Sequence, residues 1–231
     1  MANDAVVLLS GGQDSTTCLF WAKERFDTVY SLSVFYGQRH QAELDAAREI
    51  AAMAGTPHEV VEMPSLQRIS SGSALVNAAL ELRGDGGLGD KTMPNGLPTS
   101  FVPGRNLMFL SLASSYAVKV GAKNVVTGVC QTDYSGYPDC RHEFIEAFAE
   151  AATLAMPSDC GPLRVHTPLM HLTKAETVHL AASLGGDAWQ ALGRSLTCYN
   201  GQRPGCGKCP ACELRAAGFA DAGVQDPADV A

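Results

Sequence analysis

The chain has 231 residues, of which 46% are hydrophobic and 18% charged, which is enough for one sizeable core with a small appendage. Its 17 basic and 24 acidic residues give a net charge of −7, which disfavours a stable nucleic-acid partner and favours small-molecule substrates. No run approaches the ~20 apolar residues that cross a bilayer, and the start lacks a basic secretory stretch, so we expect a cytoplasmic protein without membrane contact.

The first predicted elements are a strand, a glycine turn and a helix. Residues 6–9 are wholly apolar, which is typical of a strand buried on both faces of a parallel sheet. Gly11 and Gly12 allow a sharp turn, and the helix over 15–25 offers unpaired N–H groups where it begins. The stretch SGGQDS at 10–15 therefore predicts a phosphate-binding loop, although SGG alone fits an ordinary capped turn. The predicted nucleotide-binding residues are Leu9, Ser10, Gly11, Gly12, Gln13, Asp14, Ser15 and Thr16, with Asp14 able to hold Mg²⁺.

Further strands and helices alternate along the chain. Hydrophobic patterns predict strands over 28–36, 58–63, 124–129 and 164–169, and helices over 40–55, 107–122, 142–155 and 174–184. This alternation predicts an α/β fold with a doubly wound, mostly parallel sheet, whose ligands bind beyond the carboxyl ends of the strands. The residues expected at that edge include Ser10, Tyr36, Gly128 and Thr167.

Residues 64–100 are rich in Ser, Gly and Pro around one helix-like piece at 74–83, and predict an insertion or lid outside the sheet. Gly84, Gly86 and Gly89 spell GxGxxG, but a helical pattern precedes them where a dinucleotide site needs a strand, so we exclude such a site. We expect an α/β domain over residues 1–190 and a metal-binding segment over 191–231, with a surface coil from Asp221.

A second phosphate-facing group is predicted at the start of the helix over 174–184. Thr173 and Glu176 have the spacing of a capping box, which places Lys174 in the first helical turn. A cation there is disfavoured by ~0.3 to 1 kcal/mol unless an anion joins it. The position thus favours a phosphate contact, and a solvated lysine is the alternative.

Four cysteines lie close together near the C-terminus. Cys198, Cys206, Cys209 and Cys212 fall within fifteen residues, and Gly205 and Gly207 free the backbone between them. Two Cys-x2-Cys turns sharing one cysteine can wrap thiolates around a tetrahedral cation, so we predict a structural Zn²⁺ site with one ion per chain. An iron–sulfur cluster is the main alternative, and disulfides are disfavoured in the cytoplasm.

Several stretches resemble the 7-cyano-7-deazaguanine synthase family, within the ATP pyrophosphatase (PP-loop) superfamily. They are SGGQDS at 10–15, FYGQRH at 35–40, VPGRN at 102–106, DYSGYPDCR at 133–141, and the cysteine cluster closing in CELR at 212–215. A PLxxxxKxE pattern ending at Glu176 resembles the ATP pyrophosphatases more widely, and this likeness implies that its lysine faces the nucleotide phosphates. The resemblance implies an adenine nucleotide α-hydrolase fold with a small zinc-binding segment. It also implies an ATP-dependent ligase that converts 7-carboxy-7-deazaguanine and ammonia into the nitrile, by adenylation, amidation and dehydration, in queuosine biosynthesis.

The resemblance further implies ATP, Mg²⁺ and Zn²⁺ as cofactors, free ammonium as the nitrogen source, and a homodimer. Asp14 and Lys174 would neutralise phosphate charge, with Arg105 as a helper. Two other classes stay open at this point: a PP-loop tRNA-thiolating enzyme, and a non-catalytic zinc-stabilised nucleotide-binding protein.

The stretch DYSGYPDCR follows the predicted strand 124–129, and so is expected at the ligand edge of the sheet. A carboxylate there can accept both N–H donors of a guanine-like face, and the candidates are Asp133 and Asp139. Tyr134 or Tyr137 can stack on the ring, and Arg141 can meet the substrate carboxylate. For Asp139 the alternative is a cap on the helix that begins near His142.

Overall fold

The computed structural model describes residues 3–38, 41–70, 72–77, 97–131 and 136–229. Its sheet has five strands: β1 (Ala5–Leu8), β2 (Val29–Phe35), β3 (His58–Glu62), β4 (Asn124–Val126) and β5 (Arg164–His166). All neighbours pair in parallel, in the order β3-β2-β1-β4-β5. The order reverses between β1 and β4, and in such sheets the crevice beyond the strand ends at that point is where ligands bind.

Eight α-helices surround this sheet within the described ranges. They are α1 (Gln13–Lys23), α2 (Ala42–Ala54), α3 (Pro64–Ile69), α4 (Arg105–Val120), α5 (His142–Ala155), α6 (Lys174–Ser183), α7 (Gly186–Arg194) and α8 (Pro210–Ala222). None of them is long and apolar enough to cross a membrane.

Two apolar layers cover the two faces of the sheet. Val7 of β1 packs in the layer that includes α1, α2 and α7, whereas its neighbour Val6 packs in the layer that includes α4 and α5. Successive strand residues point to opposite faces, so a strand covered on both sides must be apolar throughout. The doubly wound α/β fold predicted from the sequence is therefore confirmed.

Most predicted elements are confirmed, but several bounds are corrected. The predicted strands over 124–129 and 164–169 are too long, because the ladder ends at Val126 and His166. After β4 the backbone passes close to α1 at Gly128, where an added Cβ would lie 3.2 Å from Asp14 and Ser15. Thr167 closes a turn with the amide of Met170 instead of extending β5.

Three helices were not predicted: α3, α7 and α8. Residues 74–76 form turns and residue 77 is irregular, so the described part of the predicted helix-like piece is not helical. Residues 78–83 of that piece and the glycines at 84–89 lie outside the described residues. The predicted coil from Asp221 is wrong. Asp221 still belongs to α8, and Pro227 beyond it is buried near α7, because the chain end covers apolar surface there. The predicted domain boundary at residue 190 falls inside α7, and the division into two domains stays a prediction.

Candidate functional site

The loop between β1 and α1 is stabilised by its own hydrogen bonds. The Ser10 amide donates to the Ser15 hydroxyl at 3.1 Å, and the two hydroxyls lie 3.0 Å apart. Ser15 and Thr16 both donate their hydroxyls to the Gly12 carbonyl, at 3.1 and 2.8 Å. The N-cap of α1 is Gly12, so no side chain of the N-cap residue accepts from the first N–H groups of the helix. These N–H groups therefore keep their capacity to bind an anion.

Gly11 is the position in this loop where a glycine is required. Its φ of +86° lies in the left-handed region, and an added Cβ would come within 2.3 Å of the Glu43 carbonyl on α2. Its own carbonyl accepts from the Leu196 amide at 2.8 Å. The phosphate loop is therefore packed between the first turn of α2 and the C-terminal segment, by which we mean residues 195–229.

The predicted capping box is present at the start of α6, where Thr173 accepts from the Glu176 amide and Glu176 from the Thr173 amide. Lys174 in the first turn donates to Asp14 Oδ2 at 2.7 Å, and both side chains are partly exposed. The anion expected beside Lys174 thus includes the Asp14 carboxylate. The other oxygen of that carboxylate, Oδ1, is buried and has no hydrogen-bond partner among the described residues.

A cavity of about 320 Å³ opens beyond the carboxyl ends of β1 and β4. Six residues of the predicted loop line it: Leu9, Ser10, Gly12, Gln13, Asp14 and Ser15. Gly11 and Thr16 do not, because Gly11 packs on α2 and the Thr16 hydroxyl turns back to the Gly12 carbonyl. Lys174 and Gly128 also line the cavity, whereas Thr167 does not.

Another part of the cavity lining, which we call the aromatic wall, combines one arginine with three tyrosines: Tyr36, Arg105, Tyr137 and Tyr199. The Arg105 guanidinium carbon lies 5.9 Å from the centre of the Tyr137 ring. Burial opposes the charge of Arg105, but the tyrosine hydroxyls around it outweigh this and raise the pKa of the guanidinium. Burial raises the pKa of all three phenols, so this aromatic wall carries one fixed positive charge.

Glu43 also lines the cavity, from the first turn of α2. Burial raises the pKa of its carboxyl from 4.5 to about 7, although the positive charge of Arg105 acts in the opposite direction. This group therefore titrates near neutral pH. The position was missed in the sequence, and its only signal there was a carboxylate at the start of the helix that follows FYGQRH.

The residues predicted to read a purine are only partly brought to the cavity. Tyr137 lines it, with its hydroxyl 2.7 Å from Ser100. Asp139 lies beside it, buried, and accepts from the Asn106 amide in the first turn of α4 at 2.9 Å. Asp139 thus holds the start of α4, not that of α5 as in the cap interpretation. Arg141 is exposed and outside the lining, and Asp133 and Tyr134 lie outside the described residues.

The four cysteines converge as the spacing predicted. The sulfurs of Cys198, Cys206, Cys209 and Cys212 all lie within 4.8 Å of one another, and those of Cys206 and Cys212 are 3.9 Å apart. Gly207 between them has a φ of +66°. A tetrahedral ion with metal–sulfur bonds of about 2.3 Å needs sulfurs roughly 3.8 Å apart, so these residues fit one metal ion.

One of these thiols is prepared to bind as a thiolate. Burial acts to raise the pKa of Cys206, but the amides of Lys208 and Cys209 and the Asn200 side chain outweigh it and lower the pKa to about 6. Asn200 donates to this sulfur at 3.4 Å. Tyr199 lies between Cys198 and this asparagine in sequence and lines the cavity, so the cluster adjoins the candidate site.

Comparison with known proteins gives consistent relatives. Residues 4–223 match a family model described as queuosine biosynthesis protein QueC. A 7-cyano-7-deazaguanine synthase of Chromobacterium violaceum is 52% identical over 96% of this chain and 92% of its own length. A protein of the same name from Lysinibacillus sphaericus is 46% identical over 93% of each chain. A solved 4-thiouridine synthetase in complex with RNA and ATP is 19% identical, with a TM-score of 0.52 over 94% of this chain and 53% of that one, which shows a shared fold.

Proposed function

This chain belongs to the QueC family of queuosine biosynthesis proteins, and from that premise we propose that it converts 7-carboxy-7-deazaguanine and ammonia into 7-cyano-7-deazaguanine at the expense of ATP. The observation that carries the proposal is the pairing of Lys174 with Asp14 at the rim of the phosphate loop. Two positions 160 residues apart thereby meet where ATP phosphates would lie, in the same cavity as an aromatic wall suited to a purine. The enzyme is an ATP-dependent ligase in this account.

The phosphate loop and the start of α1 would bind the phosphates of ATP. Backbone N–H groups at a helix N-terminus attract anions, and the glycines at 11 and 12 let the backbone come close. Lys174 supplies a positive charge for the pyrophosphate that leaves. Its ion pair with Asp14 keeps the ammonium group in place before ATP arrives.

Mg²⁺ fits the same corner of the cavity. The buried Asp14 Oδ1 lacks a hydrogen-bond partner among the described residues, which is costly for a carboxylate unless a ligand completes it. Carboxylate and phosphate oxygens are the ligands that Mg²⁺ prefers, and the ion would neutralise phosphate charge when bound. Asp14 thus serves both Lys174 and the metal in this proposal.

In the proposed reaction, ATP activates the carboxyl carbon of the substrate twice, first as the carboxylate and then as the amide. The substrate carboxylate oxygen attacks the α-phosphorus of ATP and releases pyrophosphate, and ammonia then displaces AMP to give the amide. The amide oxygen attacks a second ATP, again releasing pyrophosphate. Loss of AMP and the remaining N–H protons leaves the nitrile, so the balance is two ATP consumed and two AMP and two pyrophosphates formed. The protein contributes mainly position and charge.

The wall of Arg105 and the tyrosines would hold the deazapurine. Tyr137 is fixed by its bond to Ser100 and can stack on a ring, and Arg105 can pair with a carboxylate or with the adenylate formed from it. Asp133, Tyr134 and Arg141 remain predicted contacts of the purine and its carboxylate. Asp139 acts in this proposal by holding the first turn of α4, in which Arg105 lies.

Zinc is the metal that we propose for the four cysteines. A single ion brings its thiolate ligands to roughly 4 Å from one another, whereas an iron–sulfur cluster places its own irons and sulfides between them. The four sulfurs lie within 4.8 Å of one another, which supports a single ion. Two of the four residues, Cys198 and Cys209, are buried. Closed four-thiolate coordination would stabilise the fold without taking part in the chemistry.

The decisive experiment incubates the metal-loaded protein with 7-carboxy-7-deazaguanine, ammonium and Mg-ATP, and follows the deazapurine by mass spectrometry with AMP and pyrophosphate in parallel. We expect the amide to form and disappear as the nitrile accumulates, with two pyrophosphates per nitrile. Pyrophosphate release that requires tRNA would favour a thiolating enzyme, and ATP binding without release would favour a nucleotide sensor. A homodimer and a cytoplasmic location remain predictions, testable by light scattering and by cell fractionation.

A further inference from the structure

Helix α8 connects the four-cysteine cluster to the phosphate site. It begins at the cluster, since Cys209 is its N-cap and Cys212 lies in its first turn. Farther along it packs closely on α6, whose first residue is Lys174. The N-terminal end of the helix thus meets the proposed metal site, and a later turn meets the helix that begins with Lys174.

Arg215 of α8 is buried, and its guanidinium is fully used inside the protein. It donates to both oxygens of Asp226, to the Ser195 hydroxyl at 2.8 Å, to Thr197 at 3.2 Å and to the Leu192 carbonyl at 3.1 Å. An arginine has five N–H donors, and these five bonds occupy them. Arg215 reaches the cavity lining but has no donor left for a ligand.

The bonds of Arg215 hold the segment 195–197 against the phosphate loop. Leu196 lies between Ser195 and Thr197, the two residues of this segment that Arg215 binds. The Leu196 amide donates to the Gly11 carbonyl at 2.8 Å. Gly11 also packs on α2, since a Cβ added at Gly11 would lie 2.3 Å from the Glu43 carbonyl oxygen. A shift of the segment would therefore be passed directly to the turn that begins α1.

Gly218, one turn beyond Arg215, touches the other half of the site. A Cβ added there would lie 2.8 Å from Lys174 Cβ and 3.4 Å from its carbonyl carbon. These atoms belong to the backbone end of the lysine, so they cannot yield by a side-chain rotation alone. The absence of a side chain at Gly218 sets how closely α6 approaches α8, and with it the position of Lys174.

We propose that α8 positions both halves of the phosphate site: Arg215 holds the phosphate loop through segment 195–197, and Gly218 sets the position of Lys174 by direct packing. The inference rests on the proposed ATP site and adds two positioning residues to it. Neither residue contacts the nucleotide. Both act before any chemistry, so their effect should appear first in ATP affinity.

The first test is Ser195→Ala, which removes one bond of Arg215 and leaves the buried pair with Asp226 intact. Ser195 does not line the cavity, so it offers no contact to ATP itself. We expect the Kd for Mg-ATP, measured by titration calorimetry, to rise about fivefold, as the loss of one hydrogen bond implies. Equal affinity in wild type and variant would overturn the role of Arg215.

The second test is Gly218→Ala, which should displace Lys174 while improving the intrinsic helix propensity of α8. We expect the Kd for Mg-ATP to rise on the order of 10- to 100-fold. Phe148→Leu is the control: Phe148 packs in the layer on the other face of the sheet, so this variant should lose stability and keep the wild-type Kd. If Gly218→Ala and Phe148→Leu change the Kd alike, Gly218 acts only through general stability and its positioning role is refuted.

Binding separates this inference from the proposed reaction. Wild-type protein that binds ATP but forms no nitrile would refute the reaction and leave the positioning roles to be judged by Kd. Wild-type protein that forms nitrile, with both variants binding ATP normally, would refute the positioning roles alone. Protein that binds no ATP would refute both.

Discussion

The phosphate loop and the C-terminal segment over 195–229 stabilise themselves in opposite ways. The loop is closed by hydrogen bonds among Ser10, Gly12, Ser15 and Thr16, which span at most five residues. The C-terminal segment depends on bonds over much longer spans, such as those from Arg215 to Asp226, Ser195 and Leu192, and on four cysteines gathered around one point. A local motif keeps its shape through its own bonds, whereas a segment of this second kind keeps its shape only while distant partners stay in place.

This difference separates substitutions that affect chemistry from those that affect folding. The Asp14 side chain lines the cavity and takes no part in the hydrogen bonds that close the loop, so we expect a change at Asp14 to leave the loop folded. The side chains that hold the C-terminal segment together include the buried Cys198, Cys209 and Arg215, so a change at one of them leaves buried groups without partners. Four predictions test the contrast, in order of decreasing expected effect.

The largest effect is expected from Cys209→Ser, in the C-terminal segment. Loss of a thiolate should release the metal and lower the free energy of unfolding by roughly 5 kcal/mol or more, because metal binding is coupled to folding. Elemental analysis and thermal denaturation measure both effects. Cys160→Ser, at a half-buried cysteine outside the cluster, is the matched control and should keep one zinc per chain. Iron with a brown absorbance in the wild-type protein would contradict the zinc assignment.

In the phosphate site, Asp14→Asn and Lys174→Ala should impair the reaction and leave the stability of the fold nearly unchanged. We expect pyrophosphate release to fall on the order of 100- to 1000-fold, because the charges that face the phosphates are lost, with little change in melting temperature. Asp45→Asn and Arg48→Ala remove the exposed ion pair of α2 and serve as controls. A variant at Asp14 or Lys174 that turns over normally at saturating substrate would refute the role given to that residue.

Glu43 lies where the loop meets α2, and its buried carboxyl makes stability depend on pH. Its pKa is about 7 in the folded protein and near 4.5 when unfolded, so the folded state binds the proton more tightly. The contribution of the protonated Glu43 carboxyl to the free energy of unfolding is fully present below pH ~4.5 and is lost as pH rises through ~7. The loss amounts to at most about 3 kcal/mol.

We expect Glu43→Gln to lose this pH dependence, so that it gains stability relative to wild type between pH 5 and pH 8. Denaturant unfolding at several pH values measures the difference, and Glu150→Gln, at an exposed carboxyl on α5, is the control. Parallel pH profiles of wild type and Glu43→Gln would show that the Glu43 carboxyl titrates as in solution.

The smallest effect is expected at Asp139. Asp139→Ala removes the acceptor of the Asn106 amide at the start of α4 and should lower stability by about 1 kcal/mol, as for a lost helix cap. Titration with 7-carboxy-7-deazaguanine should show an affinity within a few-fold of wild type. A large loss of deazapurine affinity at an unchanged melting temperature would instead make Asp139 a reader of the purine.

Much of the fold and two parts of the site could be predicted from the sequence, because their causes are local. The apolar run before SGGQDS and the later alternation of strands and helices determine the parallel sheet, since periodicity shows which faces are buried. The capping box at Thr173 and the cysteine spacing depend on residues near one another in the chain. Hydrogen bonds and metal coordination at such short range need no knowledge of the strand order.

The rest was decided by tertiary structure. Tyr36, Glu43, Arg105 and Tyr199 share one cavity wall only because the strand order brings β2, α2, α4 and the C-terminal segment to the same end of the sheet. In the sequence Asp139 fits a purine contact or a cap on α5 equally well, and neither interpretation predicts the bond that its carboxylate makes with the Asn106 amide of α4. The five bonds of Arg215 have no local signal at all. Contacts between residues distant in sequence are fixed by how the layers pack, and a linear pattern carries no information on that packing.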